Sequence, residues 1–341
     1  MKQSEEVEPF FIGARRGIEK DVLPTTGFPY ELLELHPLYR SRVWENWRTL
    51  SGALSSWRTV ARHFREERPA CVVGTGGYAS GIALAYAATH GIPIVLQEQN
   101  SHPGLTTRFF SKYARQIHVG FPETGTALSK SARGSVCDTG NPIEPPPNPL
   151  PDKIEAHSRW SFPDDVAVLL VYGGSQGARA INDVVAGWIE KGLPDGLRVI
   201  WGTGKTSFDD YVKYDSGTVR VRAYLSPITE AYAAADFAIS RGGAMATAEL
   251  CAWGIPPIVV PLPTAAADHQ TANARALSEA GAAEWIPQSE FTVARLDQSV
   301  RRLLEDKSLL AARRQATLSR ARPDAANSIA RSILELIGIS K

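Results

Sequence analysis

The sequence predicts an α/β protein built from two doubly wound, Rossmann-like domains that face each other across a cleft. Its 341 residues correspond to about two domains of ordinary size. Short apolar segments alternate with glycine-rich turns and helical patterns, which is the order of a parallel sheet covered by helices. Six prolines between Asn141 and Pro151 exclude helix and central strand there. We therefore expect domains at 1–143 and 152–324, a proline-rich linker at 144–151 and a C-terminal helix at 325–341.

The composition excludes several classes of protein. Lys and Arg number 37 and Asp and Glu 36, which argues against nucleic-acid binding through bulk positive charge. The three cysteines are far apart, so neither a disulfide framework nor a zinc site is expected. Residues 69–97 lack charged side chains, but glycines and Pro93 interrupt them, so we expect no transmembrane helix. The first residues are acidic and lack an apolar segment, which predicts no signal peptide.

The first domain contains three predicted strands, each followed by a turn. The strands are expected at Val7–Gly13, Ala70–Val73 and Ile92–Leu96. Glycines follow the second strand at 74–77, and Glu98, Gln99 and Asn100 follow the third. Because open α/β sheets bind ligands at the carboxyl ends of their strands, both turns are candidate binding segments.

Residues 38–68 combine an amphipathic pattern with a basic charge. Seven arginines stand against three glutamates, and apolar side chains recur at helical spacing. A helix packed on the sheet explains most of the aliphatic residues, whereas tryptophans beside arginines also suit a surface that rests on anionic lipid. The residues expected at a membrane are Trp44, Trp47, Arg48 and Trp57. Gly52, which costs about 1 kcal/mol in a helix interior, marks a candidate break in this helix.

The second domain repeats the alternation of strand, turn and helix. A strand at Val166–Tyr172 precedes the glycine-rich turn Gly173–Gly177 and a helix that begins near Ala178. Further strands are predicted at Arg198–Trp201, Val219–Tyr224, Phe237–Ser240 and Ile258–Pro261. The last helix, near Ala325–Ile337, could pack on either domain.

Two turns of the second domain have the form of anion-binding loops. Gly173–Gly177 and Ser240–Ala244 each follow a strand and open a helix, where backbone N–H groups and the helix dipole attract an anion. Glu249, about one turn into the second helix, can accept hydrogen bonds from both hydroxyls of a ribose. A single such turn is equally well explained without a ligand, and Glu249 as a complement to the helix dipole. The presence of two loops in one domain favours a nucleotide diphosphate.

These motifs, in this order, resemble the MurG family, the N-acetylglucosaminyltransferases of bacterial peptidoglycan synthesis. The matching segments are Gly13–Glu19, Gly74–Tyr78, Glu98–Asn100, Gly104–Thr106, Gly140–Pro142, Gly173–Arg179, Gly242–Glu249 and His269–Ala274. They run across nearly the whole chain and are specific together, although no single segment is. The resemblance implies a two-domain glycosyltransferase of the GT-B type.

The resemblance also implies a donor, UDP-N-acetylglucosamine, held mainly by the C-terminal domain without a cofactor or metal. Ser175 is expected at the diphosphate, Leu225 beside the uracil and Glu249 on the ribose. Gln270 and Asn100 are expected on the sugar. The donor-binding residues are then Asn100, Ser175, Leu225, Ala244, Met245, Ala246, Thr247, Ala248, Glu249 and Gln270. The phosphate loops would also include Gly173, Gly174, Gln176, Gly177 and Gly243.

The implied acceptor is lipid I, the muramyl-pentapeptide undecaprenyl diphosphate, which cannot leave the membrane. Gly76, Gly77 and Tyr78 are the expected acceptor residues. Transfer to the muramyl sugar with inversion would give lipid II. The resemblance therefore implies a peripheral protein at the cytoplasmic face of the bacterial inner membrane, with no nucleic-acid partner.

The chain departs from the family pattern at several positions. Family members begin with a strand and a glycine-rich loop that ends in His, whereas the first strand here matches the family's second. We therefore expect either a start upstream of Met1 or a truncated copy, with an open position in the first sheet. Gln97 replaces a histidine and Glu144 an arginine. Because the usual histidines are missing, Glu98 is the candidate general base.

Two other functions stay open at this point. One is a nucleotide-sugar-binding protein without catalysis, and the other is a different UDP-sugar enzyme of the same fold, such as a natural-product glycosyltransferase or an epimerase. The acceptor-side matches at Gly74–Tyr78 and Glu98–Asn100 speak against a different enzyme.

Overall fold

The structure, a computed structural model, describes residues 7–35, 46–128, 130, 132, 134–174 and 177–339, with the backbone alone for 46–51. The chain divides into two compact units. The first comprises Met1–Gln99, Pro103–Thr139 and Asn327–Lys341, and the second Asn100–His102 and Gly140–Ala326. Unit 1 is therefore discontinuous in sequence, because the end of the chain returns to it.

Unit 1 contains two parallel sheets. Its elements up to the linker are β1 (Phe11–Ala14), α1 (Glu19–Val22), β2 (Tyr30–Leu33), α2 (Asn46–Glu67), β3 (Val72–Gly74), α3 (Gly81–His90), β4 (Ile94–Glu98), α4 (Leu105–Phe110), β5 (Gln116–Val119), α5 (Pro122–Leu128) and β6 (Ser135–Asp138). Strands β1 and β2 pair with each other, and β3–β4–β5–β6 form a four-stranded sheet. Ala14, Leu33 and Leu96 share one hydrophobic core, so both sheets contribute to it. No backbone ladder joins the two sheets within the described residues.

Unit 2 contains one parallel sheet with helices on both faces. Its elements are α6 (Lys153–Arg159), β7 (Ala167–Tyr172), α7 (Arg179–Lys191), β8 (Leu197–Gly202), α8 (Phe208–Tyr211), β9 (Val219–Arg222), α9 (Ile228–Ala234), β10 (Phe237–Ser240), α10 (Ala244–Ala252), β11 (Pro257–Val259), α11 (His269–Glu279), β12 (Glu284–Trp285), α12 (Val293–Glu305) and α13 (Lys307–Ser319). The strand order is β12–β11–β10–β7–β8–β9. The order reverses between β7 and β10, which makes this pair the topological switch point where such sheets bind ligands.

The doubly wound architecture predicted from the sequence is confirmed in each unit. The predicted strands are present with ends that differ by a few residues, because strand ends depend on neighbours that a sequence does not show. Strands β2, β5, β6 and β12 were not predicted. The proline-rich residues 144–151 form neither helix nor strand, as their composition predicts.

Helix α2 corrects one expectation, because it runs without a break through Gly52. The buried stripe of Ser56, Val60 and Phe64 packs this helix on unit 1. Burying the apolar side chains of Val60 and Phe64 contributes about 1.5–3 kcal/mol each, which exceeds the cost of about 1 kcal/mol for one glycine. No helix among the described residues has both the length and the apolar character needed to cross a membrane.

The last helix, α14 (Ala325–Leu336), packs on unit 1. Its side chains Ile329 and Ile333 form a buried cluster with Val95 of β4. Gln116 of β5 donates a hydrogen bond from Nε2 to the carbonyl oxygen of Ser332 at 3.0 Å. The question left open by the sequence is thereby answered.

Candidate active site

The switch point of unit 2 brings the two glycine-rich loops together. Strands β7 and β10 are neighbours, and their last residues, Tyr172 and Ser240, are register partners. One loop begins directly after Tyr172 and leads into α7, and the other begins after Ser240 and leads into α10. Backbone N–H groups and two helix N-termini therefore lie side by side at one edge of the sheet, an arrangement suited to an anion with two phosphates.

The first loop needs glycine at Gly177. This residue has φ +78°, and a Cβ there would lie 2.2 Å from the carbonyl oxygen of Thr203. The same carbonyl accepts a hydrogen bond from Asn182 Nδ2 at 2.8 Å, and Trp201 Nε1 donates to Asn182 Oδ1 at 3.0 Å. These contacts hold the loop against the end of β8. Gly173 and Gly174 belong to the same loop, whereas Ser175 and Gln176 lie outside the described residues.

The second loop is held against the start of α11. A Cβ on Gly242 would lie 2.4 Å from the carbonyl oxygen of Gln270. Asn273, which is fully buried, donates from Nδ2 to the Gly242 carbonyl at 3.0 Å and to Asn100 Oδ1 at 3.1 Å. Its Oδ1 accepts from the Ser101 N–H at 2.8 Å. The structure thus brings Asn100, Gln270 and the second loop together.

The predicted nucleotide-binding segment forms the first two turns of α10. Gly243 is its N-cap, and Thr247 donates from Oγ1 back to the Gly243 carbonyl at 3.0 Å. Ala244 and Thr247 are buried, Met245 is exposed, and Ala246, Ala248 and Glu249 are half-buried. Glu249 Oε2 accepts a hydrogen bond from the Tyr232 hydroxyl at 2.7 Å. The carboxylate is therefore fixed in direction while remaining at the protein surface.

Leu225 lies beyond the end of β9, where it is buried against Gly202. A Cβ on Gly202 would lie 3.0 Å from Leu225 Cδ1 and 3.6 Å from Tyr172 Cβ. The glycine at this position therefore makes room for Leu225 and Tyr172 at the end of β8.

The side chain of Gln270, the residue expected on the sugar, is held by the backbone. Gln270 Oε1 accepts a hydrogen bond from the Leu262 N–H at 3.0 Å.

Arg241 precedes the two glycines of the second loop, and the sequence analysis assigns it no role of its own. Its Nη1 donates to the carbonyl oxygens of Val260 and Pro261, both at 3.1 Å, and burial lowers the pKa of its guanidinium. A cation is thereby anchored directly before the second glycine loop. The signal in the sequence was its position immediately ahead of Gly242.

The acceptor-side motifs of unit 1 also form one cluster, at the carboxyl ends of β3 and β4. Gly76 and Gly77 have φ of +87° and +70°, so both adopt a conformation that glycine favours. Thr106 donates from Oγ1 to the Gly77 carbonyl at 2.9 Å, and Gln99 donates from Nε2 to the Thr75 carbonyl at 2.9 Å. Tyr78 is 43% exposed beside them. Three segments that are separate in sequence therefore make one surface.

Glu98 lies beneath this surface and is 3% exposed. Its Oε2 accepts hydrogen bonds from the Gly104 N–H at 3.0 Å and from Thr107 Oγ1 at 2.6 Å. These contacts tie the end of β4 to the start of α4. The arrangement favours a structural carboxylate over the role of general base.

Of the residues expected at a membrane, the structure describes the side chain of Trp57 alone. Trp44 lies outside the described residues, and the side chains of Trp47 and Arg48 are not described. Trp57 is half-buried with its ring 5.3 Å from that of Tyr86, which is the core role that helical spacing also predicts.

An exposed apolar surface that the sequence analysis missed lies on and after α4. Leu105, Phe109 and Tyr113 are 66%, 57% and 44% exposed. The Lys112 Nζ lies 4.9 Å from the centre of the Phe109 ring and 5.1 Å from that of Tyr113. We call Leu105, Phe109, Lys112 and Tyr113 the α4 surface.

Comparison with known proteins agrees with this geometry. Residues 1–119 match the glycosyltransferase family 28 N-terminal domain, and residues 168–329 match its C-terminal domain. An enzyme of Desulforamulus reducens named UDP-N-acetylglucosamine–N-acetylmuramyl-(pentapeptide) pyrophosphoryl-undecaprenol N-acetylglucosamine transferase is 32% identical, covering 97% of this chain and 91% of its own. The enzyme of the same name from Salinibacter ruber is 36% identical, covering 96% and 88%.

A solved structure shows the same fold. The crystal structure of Acinetobacter baumannii MurG superposes with a TM-score of 0.76 at 24% identity, covering 94% of this chain and 89% of that one. The two enzymes are 32% and 36% identical to this chain over nearly its full length, which shows more than the fold alone. The chain belongs to the MurG family of N-acetylglucosamine transferases, within glycosyltransferase family 28.

Proposed function

We propose that this protein transfers N-acetylglucosamine from UDP-N-acetylglucosamine to the muramyl sugar of lipid I, giving lipid II for peptidoglycan synthesis. The observation that carries the proposal is the pair of glycine loops at the switch point of unit 2, with Glu249 fixed beside them. The two loops and the carboxylate together suit a nucleoside diphosphate, because its phosphates accept hydrogen bonds from N–H groups and its ribose hydroxyls donate to a carboxylate.

The donor-binding roles follow from the positions of the side chains. The diphosphate is bound by the N–H groups of the two loops, with the anchored Arg241 adding positive charge. The ribose is bound by Glu249 and the uracil lies beside Leu225. The sugar is bound by Gln270 and Asn100, which Asn273 holds near the second loop.

The reaction is a displacement at the anomeric carbon of the donor. The 4-hydroxyl oxygen of the muramyl sugar forms a bond to this carbon as the bond to the β-phosphate oxygen breaks, with inversion. UDP departs with the electron pair, the proton of the 4-hydroxyl passes to water, and the loop N–H groups stabilise the charge that develops on UDP. We assign Glu98 the role of positioning the segment between β4 and α4, since its carboxylate accepts from Gly104 and Thr107.

The acceptor places the protein at a membrane, and the α4 surface is the contact we propose. Exposed Leu105, Phe109 and Tyr113 can enter the boundary between headgroups and acyl chains, while Lys112 and the exposed Arg108 attract anionic headgroups. The protein would then act as a peripheral protein at the cytoplasmic face of the bacterial inner membrane.

A coupled assay of UDP release with a lipid I analogue tests the proposed activity. We expect UDP release that requires both the donor and the acceptor. Calorimetry with UDP-N-acetylglucosamine separates the alternatives. Binding without turnover would instead indicate a nucleotide-sugar-binding protein, and turnover without the lipid I analogue a different UDP-sugar enzyme.

A further inference from the structure

Two buried tyrosines connect the core of unit 2 to Glu249. Tyr172 is the last residue of β7, and Tyr232 lies on α9, with 7% and 2% of their surfaces exposed. Their hydroxyl oxygens are 3.2 Å apart, and the Tyr232 hydroxyl lies 2.7 Å from Glu249 Oε2. Three groups from β7, α9 and α10 therefore form one line of hydrogen bonds that ends at the site.

The direction of these hydrogen bonds is fixed by chemistry. An ionised carboxylate only accepts hydrogen bonds, so the single hydroxyl proton of Tyr232 goes to Glu249. The Tyr232 oxygen must then accept from Tyr172, which acts as the donor. Burial raises the pKa of both tyrosines, so both keep their protons at neutral pH. Within the described residues no donor reaches Glu249 Oε1, which leaves this oxygen for a ligand.

The rings have little freedom to move. Tyr232 packs 5.7 Å from the Trp253 ring and 6.2 Å from that of Tyr172, and all three belong to one buried cluster that also holds Leu225. Rigid rings place the Tyr232 hydroxyl at one point. The carboxylate of Glu249 is therefore restricted to rotamers that keep Oε2 near that hydroxyl.

We propose that Tyr232, supported by Tyr172, is a positioning residue that holds the Glu249 carboxylate in the orientation that accepts the ribose hydroxyls of the donor. This inference rests on the proposed function, because it takes Glu249 as the ribose ligand. Tyr232 does not touch the nucleotide and acts through Glu249. Its effect should consequently depend on the ribose hydroxyls.

Calorimetric titration with UDP and with 2′,3′-dideoxyuridine diphosphate measures this dependence. The wild-type protein should bind UDP more tightly than the dideoxy nucleotide. Tyr232→Phe should weaken UDP binding by about tenfold and leave the dideoxy nucleotide within about twofold of wild type. Tyr172→Phe leaves the bond to Glu249 in place and should weaken UDP binding by only about threefold.

A matched control is Tyr211→Phe. Tyr211 is also buried in unit 2, in a different part of the core, and its hydroxyl donates to the exposed carboxylate of Asp183. This variant should bind both nucleotides as the wild type does. The fitted number of sites reports the folded fraction of each variant separately from its affinity, so a partly unfolded sample does not mimic the expected result.

Glu249→Ala distinguishes failure of this inference from failure of the proposed function. If Glu249→Ala binds UDP weakly but Tyr232→Phe keeps the wild-type preference for UDP, the positioning role is wrong and the ribose role of Glu249 stands. If Glu249→Ala itself keeps that preference, Glu249 is not the ribose ligand and the proposed donor geometry fails. The double variant should bind like Glu249→Ala alone, and a further loss of UDP affinity would show that Tyr232 acts independently.

Discussion

Glu98 shows how one buried carboxylate organises the acceptor-side surface. Two of its donors, the Gly104 N–H and the Thr107 hydroxyl, lie just before α4 and in its first turn. A hydrogen bond to a buried ionised group contributes more than a neutral one, because the alternative is a charge with one donor fewer away from water. The position of Gly104 and the start of α4 thus depend on Thr107.

The first prediction concerns this hydroxyl. Thr107→Val keeps the shape of the side chain but removes the donor, so we expect the free energy of unfolding to fall by about 1–3 kcal/mol. Urea denaturation measures the change. Thr126→Val on α5 is the control, since its hydroxyl donates at the surface over 3.4 Å. Equal stability of the two variants would contradict the role given to Glu98.

A second prediction concerns Gly177, where both φ +78° and the Thr203 carbonyl exclude a side chain. Gly177→Ala must shift the first loop, so we expect UDP affinity to fall by about tenfold or more and unit 2 to lose roughly 1–3 kcal/mol of stability. Calorimetry and thermal unfolding measure these quantities. Gly217→Ala is the control, because a Cβ there meets nothing within 4 Å. A variant that binds UDP normally would show that this loop does not hold the phosphates.

At the level of single residues, the sequence predicts functional glycines and polar side chains better than the hydrogen bonds that buried side chains make to them. Gly173, Gly243 and Glu249 follow strands in a recognisable spacing, so the sequence alone predicts that they share one site. Tyr232 lies 17 residues from Glu249 in the chain, and nothing in its spacing indicates the hydrogen bond between them. Pairs of this kind depend on the packing of two helices, which a single sequence does not specify.

Among the elements, helices α7 and α12 pack through apolar side chains and are also joined by one carboxylate, that of Asp297. Asp297 of α12 accepts from Trp188 Nε1 at 2.9 Å and from Arg301 Nε at 2.7 Å. These hydrogen bonds, that of Arg301 first, lower the pKa of Asp297 from its ordinary value of 3.8. Because the pKa of the folded state is the lower one, the stabilisation is complete above pH 3.8 and is lost as the pH falls through the lowered value.

The third prediction follows from the lowered pKa of Asp297. Asp297→Asn should lower the free energy of unfolding by about 1 kcal/mol at pH 7, and the difference from wild type should shrink as the pH falls below about 3.8. Urea denaturation at a series of pH values measures this. The exposed Asp164→Asn is the control. A difference that stays constant across the series would assign the effect to packing instead.

Helix α2 and the short strands show why elements are predicted unequally. The apolar spacing of α2 identifies a helix, but only its packing shows that Gly52 does not interrupt it. Strand β5 escapes prediction because Gln116 and His118 place polar side chains inside it, and His118 is fully buried. Burial lowers the pKa of this histidine. Polar residues in a buried strand hide the apolar pattern on which prediction depends.

At the scale of the whole molecule, the proposed membrane contact of the α4 surface can be tested on lipid vesicles. Phe109→Ser removes an exposed aromatic side chain, so we expect about tenfold weaker binding to vesicles that contain phosphatidylglycerol. Co-sedimentation measures the bound fraction. Ile154→Ser on α6, where the side chain is equally exposed, is the control and should bind as the wild type does. Equal loss in both variants would indicate nonspecific adsorption.

The path of the chain through the two units also bears on its synthesis. Unit 2 is nearly continuous from Gly140 to Ala326, whereas unit 1 requires Asn327–Lys341. A ribosome releases residues in order, so Ile329 and Ile333 emerge only after all of unit 2 has been translated. An N-terminal domain usually folds first during synthesis, whereas unit 1 is completed here only after unit 2. Until then the nascent unit 1 lacks the two isoleucines that cover Val95 in the finished fold.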